Sequence, residues 1–348
     1  MMIQWSVEGV GKLSMVTLGV TGEVAVGVID KIPAELVHQL KKLNARLVPP
    51  EKYLGAITMS LSAVEETYLV AKNFIDGSIH ISERVLYEDT YRQKRLGQYH
   101  GQSRLLVFVP GYMQTPNSFN RLERYLGLDL FDVFTFVWGG FPYSQDITLT
   151  AQQLEALVRD LVAKTKVREI FFIGHSQGGI IIRTMVQHGM VNDLPVRKCV
   201  FLSSPHQGTW AALAAVPHKG IRSAAGLLPY IRKVQGESGL QLMPGSEFLK
   251  QLNARPLPEG TSFYSVYYAL DPMIWPPTNA ILPYPAAENH FVPKIGHAQP
   301  LYCSRAAKFA LRSLYGDMAL SGQTAKHLSE IYAEPDHPAG AEYTPPTD

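Results

Sequence analysis

The chain has 348 residues, of which 46% are hydrophobic and 18% are charged, so it can bury a large core and has the composition of an ordinary globular protein. Its 32 basic and 30 acidic residues leave a net charge of +2, which argues against nucleic acid or a highly charged molecule as a partner. The two cysteines, Cys199 and Cys303, are too few for a disulfide framework.

The first residues lack the pattern of a secretory signal, because no Lys or Arg precedes Lys12 and charged residues such as Glu8 and Glu23 interrupt the apolar ones. The uncharged stretch 13–22 is much shorter than the about 20 residues that span a bilayer. We therefore expect a cytoplasmic protein, and a peripheral contact with a membrane is compatible with this sequence.

Residues 1–100 are expected to form a separate N-terminal extension that is mainly helical. Apolar residues recur at helical spacing over 32–47, where Pro33 stands near the helix start, and again over 54–74. Residues 84–104 are largely polar and basic, which predicts a connector or an exposed pair of strands whose charges lie on a solvated surface.

Strands and helices alternate from Arg104 onward. A helix is predicted from Thr148 or Thr150, as its cap, through Val162. Such alternation predicts a mostly parallel sheet with helices on both faces, and the active residues of such sheets gather at the carboxyl ends of the strands. The predicted buried strands lie at 105–109, 133–138, 170–173, 199–202 and 262–269.

This alternating region predicts one catalytic domain over residues 101–332. Residues 209–260 interrupt the alternation and are rich in Ala, Leu, Gly and Pro, which predicts a helical lid or cap inserted over the strand ends. Residues 333–348 are rich in Pro, Ala, Thr and acidic residues, which is typical of a disordered tail.

The segment 174–178 (Gly-His-Ser-Gln-Gly) lies between a predicted buried strand and a predicted helix. Its glycines suit a sharp bend at which the two backbones approach closely, and a serine at the tip is held in a strained conformation that exposes its hydroxyl. A match to this pattern arises by chance roughly 0.1 times in a chain of this length. The hypothesis that Ser176 is a nucleophile therefore requires a matching acid and base.

A serine hydroxyl needs a base and a group that orients the base, and in this type of sheet they follow in the order serine, acid, histidine. Asp271 follows the predicted strand 262–269 and is the candidate acid. His297 is the preferred base, with His290 as the alternative. The side chain of His175 is expected to point away from the turn.

The tetrahedral intermediate of such a reaction needs donors for its negatively charged oxygen. One donor is expected to be the backbone N–H of Gln177, at the start of the helix. The second is expected from the loop after the first strand, as the N–H of Tyr112 or, alternatively, of Met113.

Four segments carry a family likeness, and they are 107–112, 174–179, 202–209 and 244–253. With these segments the chain resembles the lipase and esterase branch of the α/β-hydrolase family, particularly bacterial triacylglycerol lipases and related lipid deacylases. The likeness covers about residues 104–315, and His206 lies in one of its motifs. Pro110 stands where the family commonly has histidine before the glycine of the oxyanion loop.

The resemblance implies an acyl-enzyme mechanism without a cofactor, in which Ser176 attacks an ester carbonyl, His297 transfers the proton and Asp271 orients His297. Calcium sites occur in some relatives, and the sequence offers no convincing set of ligands for one. The expected activity is hydrolysis of a small-molecule or lipid ester with an apolar acyl group. An acyltransferase with the same three residues and a non-catalytic binding protein with this fold are the alternatives.

Overall fold

A computed structural model of the chain describes residues 101–112, 114, 116–120, 122–123, 130–136, 145–210, 236–268, 271, 273–274, 276–292, 296–301, 304–316 and 326. The predicted N-terminal extension and the predicted tail lie outside these residues, as do residues 211–235 of the predicted lid.

Within the described residues, six strands form one sheet in which every neighbouring pair is parallel, in the order β2-β1-β3-β4-β5-β6. The chain moves outward from β1 to β2 and then crosses to β3 on the other side of β1, so the connections diverge between β1 and β3. Such a switch point is where parallel sheets form their binding crevice. The strands are β1 Arg104–Val109, β2 Asp132–Thr135, β3 Glu169–His175, β4 Val196–Leu202, β5 Ser262–Tyr268 and β6 Glu288–Val292.

Helices cover both faces of the sheet, as the alternating sequence pattern predicted. Leu106 and Phe108 of β1 pack on one face with α4, whereas Leu105 and Val107 pack on the other face with α1 and α2. Burial of both faces explains why the central strands read as continuous apolar runs. The helices are α1 Ile147–Lys164, α2 Gln177–Gln187, α3 Glu247–Ala254 and α4 Ser304–Tyr315.

The N-terminal cap of α1 is Asp146, so the prediction of Thr148 or Thr150 as the cap was wrong. Oδ1 of Asp146 accepts from the N–H groups of Thr148 at 2.7 Å and Leu149 at 3.1 Å. Its Oδ2 accepts from Nε2 of Gln241, whose own oxygen accepts from the first N–H of α1. A carboxylate at this end of a helix also meets the positive end of the helix dipole.

The described part of the predicted lid packs against the domain. Leu249 and Leu252 of α3 are buried, and the N–H of Thr209 donates to the carbonyl of Leu242 at 2.8 Å. Burial of one face of α3 therefore attaches the end of the insertion to the domain beside α2.

A fully buried arginine also ties α3 to the domain. Arg183 on α2 donates from Nε to Gln187 at 2.9 Å and from Nη2 to Oδ1 of Asn253 at 2.9 Å and to the hydroxyl of Tyr284 at 3.2 Å. Its Nη1 lies 3.3 Å from Nδ1 of His206. Burial lowers the pKa of the Arg183 guanidinium to about 10, which leaves it charged near pH 7.

We expect Arg183→Met to lower the free energy of unfolding by about 2–4 kcal/mol, because it leaves the oxygens of Gln187 and Asn253 buried without their donors. Urea denaturation followed by circular dichroism measures this change. The control is Arg197→Met, since the Arg197 side chain is half-exposed and contacts Glu169 at 3.5 Å, where a surface ion pair contributes little. Equal stability of the two variants would contradict the role assigned to Arg183.

Candidate active site

The three residues predicted to act as nucleophile, acid and base all follow carboxyl ends of strands. Ser176 lies between β3 and α2, Asp271 follows β5, and His297 follows β6. Because all six strands are parallel, these ends share one edge of the sheet. The topology thus brings Ser176 and His297 together, although they are 121 positions apart in the sequence.

The turn at Ser176 has the backbone conformation that the sequence predicted. Ser176 has φ 53° and ψ −127°, a left-handed conformation that L-residues rarely adopt. A Cβ on Gly174 would lie 2.7 Å from the backbone of Gly179, where strand and helix meet. A Cβ on Gly178 would lie 2.0 Å from the carbonyl oxygen of Val109, so this glycine is required by the neighbouring strand β1.

One chain of hydrogen bonds connects the three side chains. Nε2 of His297 lies 2.9 Å from Oγ of Ser176, and Nδ1 of His297 lies 2.8 Å from Oδ2 of Asp271. A neutral imidazole with its proton on Nδ1 donates to the carboxylate and accepts from the serine hydroxyl. Ser176 is half-buried, whereas the other two side chains are buried, which strengthens these contacts electrostatically.

The carboxylate of Asp271 is held on both oxygens. Oδ1 accepts from the backbone N–H groups of Met273 and Ile274, each at 2.9 Å, and Oδ2 faces His297. These bonds fix the plane of the carboxylate, and only 3% of the residue is exposed. Asp271 is therefore arranged to orient the His297 ring.

The two predicted oxyanion donors lie in segments that flank Ser176. Gln177 is the first residue of α2, where backbone N–H groups have no acceptor within the helix and the dipole is positive. A Cβ on Gly111 would lie 2.7 Å from Cβ of Ser176, so the loop after β1 contacts the turn immediately before Tyr112. The alternative donor, Met113, lies outside the described residues.

The alternative base, His290, does not contact Ser176 in the described chain. It is exposed on β6, where its ring stacks on Phe309 with ring centroids 4.6 Å apart. His206 is fully buried and contacts Arg183 and the ring of Phe201 instead. Burial, followed by the charge of Arg183, lowers the pKa of His206, which is consistent with a neutral structural residue.

His175 and Gln114 were not predicted to take part in the site. The ring of His175, which was expected to point away from the turn, lies beside the predicted base, with its centroid 4.9 Å from that of the His297 ring. Its Nε2 is 2.8 Å from the carbonyl oxygen of His297, and its Nδ1 is 2.9 Å from Oε1 of Gln114. No sequence pattern indicated Gln114, because its contact is made across 61 positions of the chain.

Within the described residues, no group of three or more His, Cys, Asp or Glu side chains is placed to hold a metal ion. None of the helices in this part of the chain combines the length and apolar composition needed to cross a membrane.

Residues 104–220 match the family model of the alpha/beta hydrolase fold, and no curated protein matches the chain. A similar solved structure is Bacillus licheniformis lipase BlEst2 in mature form, with 16% identity and a TM-score of 0.44 over 57% of this chain and 86% of that one. Aspergillus fumigatus lipase B has 15% identity and a TM-score of 0.48 over 67% and 57% of the two chains. Paleococcus ferrophilus monoacylglycerol lipase has 14% identity and a TM-score of 0.40 over 56% and 85%.

The match over residues 104–220 and the parallel sheet with helices on both faces show an α/β-hydrolase fold, which confirms that part of the predicted fold class. The helical lid and the helical N-terminal extension stay predictions. The three similar structures are those of lipases. One fold carries many activities, so the substrate has to be inferred from the site itself.

Proposed function

We propose that this protein is a serine carboxylic-ester hydrolase that cleaves an ester with an apolar acyl group through an acyl-enzyme intermediate. The observation that supports this proposal is the continuous hydrogen-bonded chain from Ser176 through His297 to Asp271. A base within hydrogen-bond reach of a hydroxyl, itself oriented by a buried carboxylate, is the arrangement that activates serine for attack on a carbonyl carbon.

In the first half of the reaction, Oγ of Ser176 attacks the ester carbonyl carbon while Nε2 of His297 takes the hydroxyl proton. The Asp271 carboxylate stabilises the imidazolium that forms. Backbone N–H groups of Gln177 and Tyr112 are proposed to stabilise the negatively charged carbonyl oxygen of the tetrahedral intermediate. His297 then gives its proton to the departing alcohol, and the acyl group stays on Ser176.

In the second half, water attacks the acyl-enzyme. His297 takes one proton from this water as the carbon–oxygen bond forms, and a second tetrahedral intermediate develops at the same donors. Collapse of the intermediate breaks the bond to Oγ of Ser176, which takes the proton back from His297. The carboxylic acid leaves, and the three residues regain their starting protonation states.

Exposed apolar side chains on two adjacent loops support an apolar acyl group. Trp210 is 44% exposed and Met273 is 38% exposed, although such large apolar residues are usually buried. The hydroxyl of Thr209 donates to the carbonyl of Met273, so the loop that carries Trp210 lies against the loop that follows Asp271. An apolar substituent of the substrate would shield both side chains from water.

The proposal is tested with purified protein, a fluorophosphonate probe and p-nitrophenyl esters of graded acyl length. We expect covalent labelling that maps to Ser176, and a kcat/KM that rises from acetate towards longer chains, because each buried methylene contributes about 0.8 kcal/mol. Heat-unfolded protein is the control, since it retains Ser176 but loses the hydrogen bond between Ser176 and His297.

Two outcomes separate this proposal from the alternatives. If the probe did not label the protein and no ester was hydrolysed, the result would indicate a non-catalytic binding protein. If an added alcohol captured nearly all of the acyl group in place of water, the acyltransferase alternative would replace the hydrolase.

A further inference from the structure

A buried polar link connects the loop after β1 to the proposed base. The ring of His175 is fully buried between Oε1 of Gln114, 2.9 Å from its Nδ1, and the carbonyl oxygen of His297, 2.8 Å from its Nε2. The same Gln114 oxygen accepts from the N–H of Gly111 at 2.7 Å, and the N–H of Gln114 donates to the Gly111 carbonyl at 3.2 Å. Gln114 therefore closes the turn that contains Tyr112.

The protonation of His175 follows from the chemistry of its two partners. A main-chain carbonyl only accepts hydrogen bonds, so the contact with His297 requires a proton on Nε2 of His175. Oε1 of Gln114 already accepts from the Gly111 N–H, so an oxygen also faces Nδ1 of His175, and a neutral ring with its proton on Nε2 donates only to the His297 carbonyl. Burial, followed by the neighbouring His297, lowers the pKa of His175 to about 3. The ring is therefore neutral near pH 7.

The position of the His297 backbone matters because its ring has to reach Ser176 and Asp271 at the same time. Both contacts are already at hydrogen-bond length, 2.9 Å and 2.8 Å, which leaves little room for a shift of the ring. Residues 296–298 belong to neither a helix nor a strand, so no regular backbone pattern sets the position of the His297 carbonyl. A hydrogen bond from Nε2 of His175 to that carbonyl oxygen limits its movement.

We propose that His175 and Gln114 are positioning residues, which hold the backbone of the base and the oxyanion loop in register with Ser176. His175 donates from Nε2 to the His297 carbonyl, and Gln114 connects His175 to the loop of Gly111 and Tyr112. This inference rests on the proposed function, because it assigns roles within the same site. Neither residue touches the reacting atoms.

Three substitutions of His175 distinguish positioning from simple filling of space. In His175→Gln the side-chain amide nitrogen reaches about as far as Nε2, whereas in His175→Asn it reaches only about as far as Nδ1. His175→Phe keeps a ring but has no donor. We expect kcat to fall about 10–100-fold in the Asn and Phe variants and only a few-fold in His175→Gln, with KM within about twofold of wild type.

Matched controls show whether the effect acts through this link. His290→Phe makes the same chemical change on the exposed face of β6, and we expect wild-type kcat. Gln114→Met removes the other end of the link together with the acceptor of the Gly111 N–H, and the double variant Gln114→Met/His175→Phe is expected to lose less kcat than the product of the two single losses. Residues that act through one shared contact give such non-additive losses.

The failure of this inference is distinguishable from the failure of the proposed function. Wild-type kcat in all three His175 variants would overturn it, as would a His175→Gln variant impaired as severely as His175→Phe. A readout that needs no activity is ¹⁵N NMR of the wild-type protein, in which His175 is expected to carry its proton on Nε2. A proton on Nδ1 alone would overturn the inference even if the protein hydrolysed no ester.

Discussion

Ser176→Ala is expected to lower kcat for ester hydrolysis by about 10⁴-fold or more, because no other group in the proposed mechanism can form the acyl-enzyme. Loss of one hydroxyl from a half-buried position leaves the packing intact, so we expect the free energy of unfolding to change by less than about 1 kcal/mol. Steady-state kinetics with the best ester of the panel, together with urea denaturation, measure both quantities.

Asp271→Asn is a second variant for this experiment, because the structure indicates why this variant should lose activity. The Asn oxygen is expected to keep the hydrogen bonds from the N–H groups of Met273 and Ile274, which only an acceptor can make. The NH₂ group would then face Nδ1 of His297 and force the proton of that ring onto Nε2. His297 in that tautomer cannot accept the proton of Ser176, so kcat should fall by about 10⁴-fold.

The control for both changes is Ser262→Ala, since Ser262 is exposed at the start of β5 and far from the carboxyl edge of the sheet. It should keep wild-type kinetics. Retention of more than about one tenth of wild-type kcat in Ser176→Ala would show that another residue carries the reaction.

Gly178→Ala is expected to lower the free energy of unfolding by about 3 kcal/mol or more, since its Cβ would lie 2.0 Å from the carbonyl oxygen of Val109. Alanine favours a helix over glycine by only about 1 kcal/mol, so the steric overlap decides the sign. The atoms in the way belong to the backbone of β1, and α2 has to move away from the strand. Urea denaturation measures the loss.

Gly245→Ala is the matched control for this substitution, because a Cβ at Gly245 meets nothing within 4 Å. Its φ of 74° makes alanine cost about 1 kcal/mol. If Gly178→Ala proved no less stable than Gly245→Ala, then α2 would not be held against β1 as closely as described.

Local patterns in the sequence predicted the elements well, because burial dictates residue type. The central strands, covered on both faces, are runs of apolar residues. Strand β1 begins one residue before the predicted start, and β5 begins at the predicted residue, Ser262. The cap of α1 was missed for a physical reason. Thr148, Thr150 and Asp146 all suit a helix cap chemically. Asp146 takes the cap position, and its carboxylate accepts a further hydrogen bond from Gln241, about 95 positions away in the sequence.

The polar interior was the part that local patterns did not predict. Arg183 occupies the same helix as the apolar residues behind Ser176, and its partners Asn253 and Tyr284 are 70 and 101 positions away. His175 and Gln114 likewise meet only in the folded chain. A buried polar side chain is stabilised by whichever group reaches it in space, and sequence spacing carries no information about that group.

The sequence by itself determined the parallel α/β architecture, the serine in a glycine-bounded turn, and the order of serine, acid and histidine. These depend on periodicity, on glycine where no Cβ fits, and on strands whose carboxyl ends share an edge. Only the tertiary structure decided that His297 rather than His290 contacts Ser176, and that His175 lies between Gln114 and the His297 carbonyl. That decision depends on distances of about 3 Å between distant residues, which follow from the way loops pack after the sheet has formed.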